Sequence, residues 1–277
     1  MAEHIINRQQ LTIRVGHGTL SFSTYREQDR ETVFEPYVVK SGVSMAANLR
    51  EAFKTSGLLQ AAPMAGGMSP WPAQRVRLSI FSDLMMVPIE QFDEKDMAAM
   101  HNHVFPRSSH DAICYDVLPD LNAVAVFSIN RDLRLVVDDH YPDARIVPAM
   151  NPVWRHLHQR SFTGKREKLY AYFNERHLEV FAFRKNRFRF CNSFETSRAA
   201  DAIYFLLYVW KQLQMQPEHD ELHIVGNIPQ EEWTTAELRK YLQNVYVVNP
   251  TVDFNNHPVT EVSDMPYDLM TLYARGR

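Results

Sequence analysis

Apolar and polar residues alternate at the start of the chain. Leu11, Ile13 and Val15 alternate with Thr12 and Arg14, and Leu20 and Phe22 with Ser21 and Ser23, across a turn bracketed by Gly16 and Gly18. A period of two marks half-buried strands, so these runs form a hairpin. After the polar REQDRE connection, TVFEPYVV supplies a third strand. The period then lengthens to that of a helix from about Val43 to Lys54, with Met45, Leu49 and Phe53 on one face and Ser41 or Ser44 as its cap. VRLSIF returns as a strand and LMMVPIEQF as a short extended piece. DEKDMAAMHNHVF predicts a helix with acids in its first turn, where the helix dipole favours them. ICYDVL and NAVAVFSI form an antiparallel pair turning at Pro119 and Asp120, followed by a helix over Arg131 to His140 and the strand RIVP.

The same script then repeats. LYAYFNERHLEVFAF, from Leu169, with the run from Phe188 to Phe194 makes a second three-strand meander, turning at NERH and RKN. A helix from Ser197 to about Met215 places Ala199, Ile203, Leu206, Trp210 and Leu213 at helical spacing, capped by Thr196. ELHIVG is a buried strand ending at Gly226; a helix around Glu232 to Gln243 and the strand VYVV follow. In the tail, Asp264 and Pro266 start a last helical turn in MPYDLMTLY. The segment VWRHLHQR bridges the copies as a short helix. The expected units are therefore residues 1–150, carrying an insertion at about 82–128, and residues 151–277. A doubled α/β unit leaves a cleft between its copies, where such folds bind ligands.

Composition narrows the class. The chain has 277 residues, enough to bury a core without staples, and a net charge of -3, which gives no global pull toward nucleic acid or anionic lipid. Cys114 and Cys191 sit in apolar strand-like runs and read as buried reduced thiols of a reducing compartment. The opening MAEHIINRQQ has no signal-peptide pattern, and the longest apolar run, AIYFLLYVW, is too short to span a bilayer. The expectation is a cytoplasmic protein with no membrane span.

Two copies of a three-strand meander followed by helix and strand resemble the actin-like ATPase superfamily, a branch of the ribonuclease-H-like fold. The run YDVLPDLNAVAVFSINRDLRLVVDDHYPDARIVPA is similar to the inserted subdomain of pilus and secretion assembly members. Over nearly its full length, including MPYDLMTLY, the chain resembles the bacterial family known as domain of unknown function 3822. The resemblance implies a duplicated α/β fold, with mixed sheets flanked by helices and two lobes enclosing a cleft. Members that hydrolyse ATP carry an Asp-x-Gly-x-Thr/Ser hairpin in each copy, whose turn amides cradle phosphate while the carboxylate holds metal-bound water. Here Arg14 stands where that acid belongs, although Gly16, Gly18 and Thr19 persist. In the second hairpin, Asn174 is followed by neither glycine nor hydroxyl, and the adenosine-side Gly-Gly is reduced to Gly226-Asn227. Arg14, Gly16, Gly18, Thr19, Asn174, Gly226 and Asn227 are therefore the positions the resemblance marks for a nucleotide. An arginine in the acid's place repels the metal that phosphoryl transfer requires.

The implied function is that of a pseudo-ATPase, an interaction or scaffold protein with degenerate nucleotide motifs, no catalytic residues, no metal and no cofactor. The alternative is a divergent ATP-binding protein or ATPase using the cleft. His101 with His103, and His156 with His158, lie in helical segments, where i, i+2 residues diverge, and read as surface histidines. Asp138 and Asp139 close a helix and read as solvated. The basic stripe Arg184, Lys185, Arg187 and Arg189, with Phe188 and Phe190 turned inward, reads as a charged sheet face rather than a nucleic-acid track. The partner expected is a protein, held by the cleft, the insertion or the loop bearing Met64, Met68 and Trp71.

Overall fold

The computed structural model describes residues 9–26, 30–61, 75–106, 111–185 and 187–274. The loop with Met64, Met68 and Trp71 lies outside the described residues. Strands β1 (Gln9–Val15), β2 (Leu20–Arg26) and β3 (Glu31–Tyr37) form the first meander, followed by helices α1 (Met45–Thr55) and α2 (Gly57–Ala61) and strand β4 (Arg75–Ile80). Next come β5 (Leu84–Pro88), α3 (Met97–Val104), β6 (Ala112–Leu118), β7 (Ala123–Ile129), α4 (Arg131–His140) and β8 (Arg145–Pro148). Helix α5 (Asn151–Ser161) leads to β9 (Lys168–Asn174), β10 (His177–Arg184) and β11 (Arg187–Glu195). The chain closes with α6 (Ala199–Gln212), β12 (Glu221–Gly226), α7 (Glu231–Arg239), β13 (Asn244–Val247), α8 (Pro250–Asp253) and α9 (Tyr267–Ala274).

Two five-stranded sheets share one strand order, β3-β2-β1-β4-β8 and β11-β10-β9-β12-β13. In each, the meander is antiparallel, while β4 and β8, or β12 and β13, continue in parallel from the central strand. The third sheet, β5-β7-β6, is antiparallel and built from the segment inserted between β4 and α4. This is the duplicated mixed α/β fold that the repeated pattern predicts.

Each sheet is held by the alternation that announced it. Leu11, Ile13, Leu78 and Ile80 meet Leu49 and Phe53 of α1 and Leu133 and Val137 of α4 in one core. In the second sheet Leu169, Ala171 and Phe173 pack with Leu206 and Trp210 of α6, while Tyr170 and Tyr172 of the same strand face the opposite way. There they join Trp154 and Leu157 of α5, Phe181, Phe183 and Tyr267 in an apolar layer reached from both halves of the chain. Burying a Trp or Tyr stabilises by roughly 2–3 kcal/mol relative to exposure, so this layer is a substantial part of what joins the lobes.

Several local expectations are corrected. Helix α6 begins at Ala199, where the backbone N–H of Arg198 donates to Asp201 Oδ2 at 2.9 Å, so the cap is not Thr196. Ser44, of the two candidates, caps α1 through the Ala47 N–H. His101 and His158 are buried rather than at the surface, and each ring meets a backbone carbonyl, of Asp83 and of Lys185. Cys114 and Cys191 are free thiols but only partly buried. A bulge opposite Ala182 and Phe183 sends Phe188 and Phe190 into different clusters, although an even spacing predicts a shared face.

Candidate functional site

The two hairpin turns that the duplication makes equivalent meet each other. The β1–β2 turn offers the Gly18 N–H and the Thr19 hydroxyl, which donate to Glu175 Oε2 at 2.7 Å and Oε1 at 2.6 Å. Glu175 lies in the β9–β10 turn with φ +57°, a left-handed conformation that a side chain disfavours. An added Cβ on Gly16 would lie 1.9 Å from Glu175 Oε1 and 2.3 Å from the Thr19 hydroxyl, so a side chain at that position would displace the clasp. An amide and a hydroxyl converging on one anion are how such a turn holds a phosphate oxygen. In this chain an internal carboxylate fills that cradle. Beside it the rings of His17 and His177 stack at 3.4 Å with 11° between their planes. Burial, and then the neighbouring His17, push the His177 imidazole below its ordinary value.

Arg14, one residue before the end of β1, is 3% exposed. Its Nε donates to Asp268 Oδ2 at 2.8 Å and its Nη2 to Asp268 Oδ1 at 3.1 Å, a bidentate pair. Nη2 also donates to Asn174 Oδ1 at 2.8 Å, and Nη1 to the Thr19 hydroxyl at 3.3 Å. Tyr172 donates its hydroxyl to Asp268 Oδ1 at 2.7 Å. Burial alone would lower the Arg14 pKa, but Asp268, Tyr172 and Glu175 together outweigh it and hold the guanidinium above its usual value. Burial, then the same carboxylate, drives the Tyr172 phenol well up. β1 of one sheet, β9 of the other and α9 thus share one hydrogen-bonded network, in which the buried Asn174 Nδ2 has no partner among the described residues.

Gly226 and Asn227 lie at the far side of the same junction. Asn227 donates its N–H to the carbonyl of Phe173 at 3.0 Å. Gly226 has φ +95°, and a Cβ there would meet that carbonyl at 2.2 Å and the Tyr172 ring at 2.8 Å, so close strand approach accounts for this glycine. With Asn174, Glu231, Pro266 and Tyr267 these residues line a cavity of about 310 Å³. A further cavity of about 400 Å³ opens on the side of His17 and His177, between Phe81, Trp154, Glu179 and Cys191. Among the described residues no group of three or more His, Cys, Asp or Glu is arranged to hold a metal ion.

The residues marked in the sequence therefore fall into two neighbouring groups, Arg14, Gly16, Gly18, Thr19 and Asn174 around the clasped turns, and Asn174, Gly226 and Asn227 around the smaller cavity. Sequence reasoning missed Glu175, Asp268, Tyr172 and the histidine stack. Asp268 had left a trace: it is the lone charge in the apolar run MPYDLMTLYA, and an acid on such a helix requires a buried partner. Arg14, within an apolar strand, carried the complementary trace.

The topology and this junction define a protein of the actin-like ATPase fold. Residues 1–245 match the model of the family described as protein of unknown function DUF3822, and the chain belongs to that family. A crystal structure from Bacteroides thetaiotaomicron VPI-5482, a protein with actin-like ATPase fold and unknown function, is similar with TM-score 0.79 and 26% identity over 95% of this chain and 100% of that one. Weaker likenesses are found to the PilM–PilN type IV pilus biogenesis complex, with TM-score 0.48, 12% identity and coverage of 88% and 89%. The ethanolamine utilization protein EutJ from Carboxydothermus hydrogenoformans gives TM-score 0.45, 10% identity and coverage of 96% and 88%. No curated protein matches the sequence. Among the described residues no helix is long and apolar enough to cross a membrane.

Proposed function

We propose that this chain is a non-catalytic actin-like protein, with lobes at residues 1–150 and 151–277, that works by holding a protein partner rather than by turning over nucleotide. The observation that carries the reading is Glu175, whose carboxylate accepts the amide and hydroxyl hydrogen bonds of the β1–β2 turn. A phosphate entering there has to expel a carboxylate already satisfied by two short hydrogen bonds, and it meets the negative charge of Asp268 behind Arg14. The metal side fares no better: both Asp268 oxygens are committed to Arg14 and Tyr172, and a guanidinium beside them repels a cation. Exposed aromatic rings support the binding half of the reading. Tyr204 and Tyr208 of α6 and Trp233 and Tyr241 around α7 are 64%, 48%, 43% and 60% exposed, and such rings are enriched at protein contacts.

A divergent nucleotide binder is the second reading, favoured by the 310 Å³ cavity at Gly226 and Asn227, whose size suits a nucleoside. Isothermal titration of the whole chain with Mg-ATP and Mg-ADP, beside a phosphate-release assay, separates the two. The proposal expects no Mg-dependent phosphate release and no saturable adenosine-dependent heat. Hydrolysis above the protein-free rate, or saturable binding of adenosine nucleotides that Gly226→Val removes, overturns it.

A further inference from the structure

The first sheet keeps Leu11, Ile13, Leu78 and Ile80 for its helix-covered core and turns the intervening row to the other face. That row runs Thr12, Arg77, Arg145 across β1, β4 and β8, so two arginines are direct neighbours on parallel strands. Like charges in that relation destabilise a sheet unless something lies between them. A third arginine, Arg155 of α5, joins them around a cavity of about 390 Å³, which Asn151, Gln159 and Asp120 also line.

The carboxylates nearby do not balance this set. Arg145 Nη2 pairs with Asp116 Oδ1 at 2.9 Å, and the other oxygen of Asp116 accepts from the Asn151 amide. Arg155 Nε lies 3.8 Å from Asp120 Oδ2 and makes no hydrogen bond. Among the described residues neither a hydrogen bond nor an ion pair joins Arg77. Burial, and then the charge of Arg145, push its guanidinium below the ordinary arginine value. A half-buried guanidinium with no directly bonded counter-ion among the described residues is costly, and its five forked donors match the oxygens of a phosphate or carboxylate.

We propose that this arginine-lined cavity binds an oxyanion of the phosphate class, with Arg77, which makes no hydrogen bond or ion pair among the described residues, as the group that the ligand pairs. Three guanidinium groups against the carboxylates of Asp116 and Asp120 leave a net positive charge, and their forked donors favour an anion with several oxygens. The volume exceeds what inorganic phosphate fills, so the fitting ligand is a diphosphate or a phosphorylated small molecule, with its organic part lying over Pro152 and Leu272. The site is formed by β4, β8 and α5, apart from the clasped hairpins, and it stands whether or not the cleft takes nucleotide.

Calorimetric titration of the full chain with pyrophosphate, inorganic phosphate and citrate, at constant ionic strength set with chloride, tests the assignment. Saturable pyrophosphate binding is expected, weakened at least tenfold by Arg77→Gln. Absence of saturable heat in the unmodified chain, equal affinity in Arg77→Gln, or citrate binding as tightly as pyrophosphate would each overturn it. Should Arg77→Gln fail to fold by circular dichroism, Arg155→Gln at the rim carries the same comparison. In anion-free buffer Arg77→Met should raise the melting temperature, because it removes an unpaired charge; a fall contradicts the proposal. An ATP signal that survives Arg77→Gln belongs to the cleft, whereas one lost with it belongs to this cavity.

Discussion

Arg14 and Asp268 are 254 residues apart in the chain and form a bidentate ion pair buried between the two sheets, with Nε–Oδ2 at 2.8 Å and Nη2–Oδ1 at 3.1 Å. The pair ties the central strand of the first sheet to the closing helix, and through Tyr172 and Asn174 to the central strand of the second. It is a structural tie between the two sheets. Removing one partner strands the other charge in a dry site. Arg14→Ala is expected to cost about 3–5 kcal/mol in urea unfolding. The double variant with Asp268→Ala should cost clearly less than the sum of the two single changes, a coupling that a double-mutant cycle measures directly. Additive losses would mean that the two groups do not act as a pair.

Glu175 contributes less, because its side chain is partly open to water. Glu175→Ala should lower stability by about 1 kcal/mol, mostly through the loss of two charge-assisted hydrogen bonds discounted for solvent screening. Glu175→Gly should lose less, since glycine relaxes the left-handed backbone at φ +57°. Thermal melts of the three proteins rank them. If Glu175→Gly proves the least stable, the backbone part of this account fails.

Gly226 offers a sharper test of close packing. A methyl group at this position meets the Phe173 carbonyl and the Tyr172 ring while the backbone sits at φ +95°. Gly226→Ala is therefore expected to destabilise on the order of 3 kcal/mol, read as a lower urea midpoint with unchanged slope. A neutral result would show that β9 and β12 part more easily than their spacing indicates.

The stacked histidines predict a pH dependence of stability. His177 is held below its ordinary pKa, so the unfolded chain binds a proton more readily than the folded one. Its contribution is complete above the unfolded value of about 6.5 and is lost as the pH falls toward the depressed folded value. Burial and the neighbouring His17 oppose the charged form of His177, with Glu175, Glu179 and Glu195 moderating the effect. Melting temperatures measured from pH 7.5 down to 5 should fall, and His177→Gln should flatten that slope. An unchanged slope in the variant would assign the acid sensitivity to the other depressed histidines, His223 and His257.

How far the sequence reaches is clear from individual residues. Alternation at Leu11, Ile13 and Val15 and the spacing of Ala199, Ile203, Leu206 and Trp210 announce strand and helix because those periods follow from local backbone geometry. Repetition of the whole pattern carried the duplicated fold. Local rules miss what lies outside their window. Neither the bulge that separates Phe188 from Phe190 nor the burial of His101 and His158 has a signature within a few residues.

The amino-acid order by itself determined two like units and placed Arg14 in the alternating strand that opens the first hairpin. Only the tertiary structure decided what that arginine does. Its partners Asn174 and Asp268 arrive from 160 and 254 residues away, and contacts closed over such distances depend on how whole sheets and helices stack. The same holds for Glu175 in its cradle and for the three arginines around their cavity. Side chains that look solvated along the chain become neighbours only when separate elements pack, because the faces they share are set by the strand register and helix placement of the entire fold.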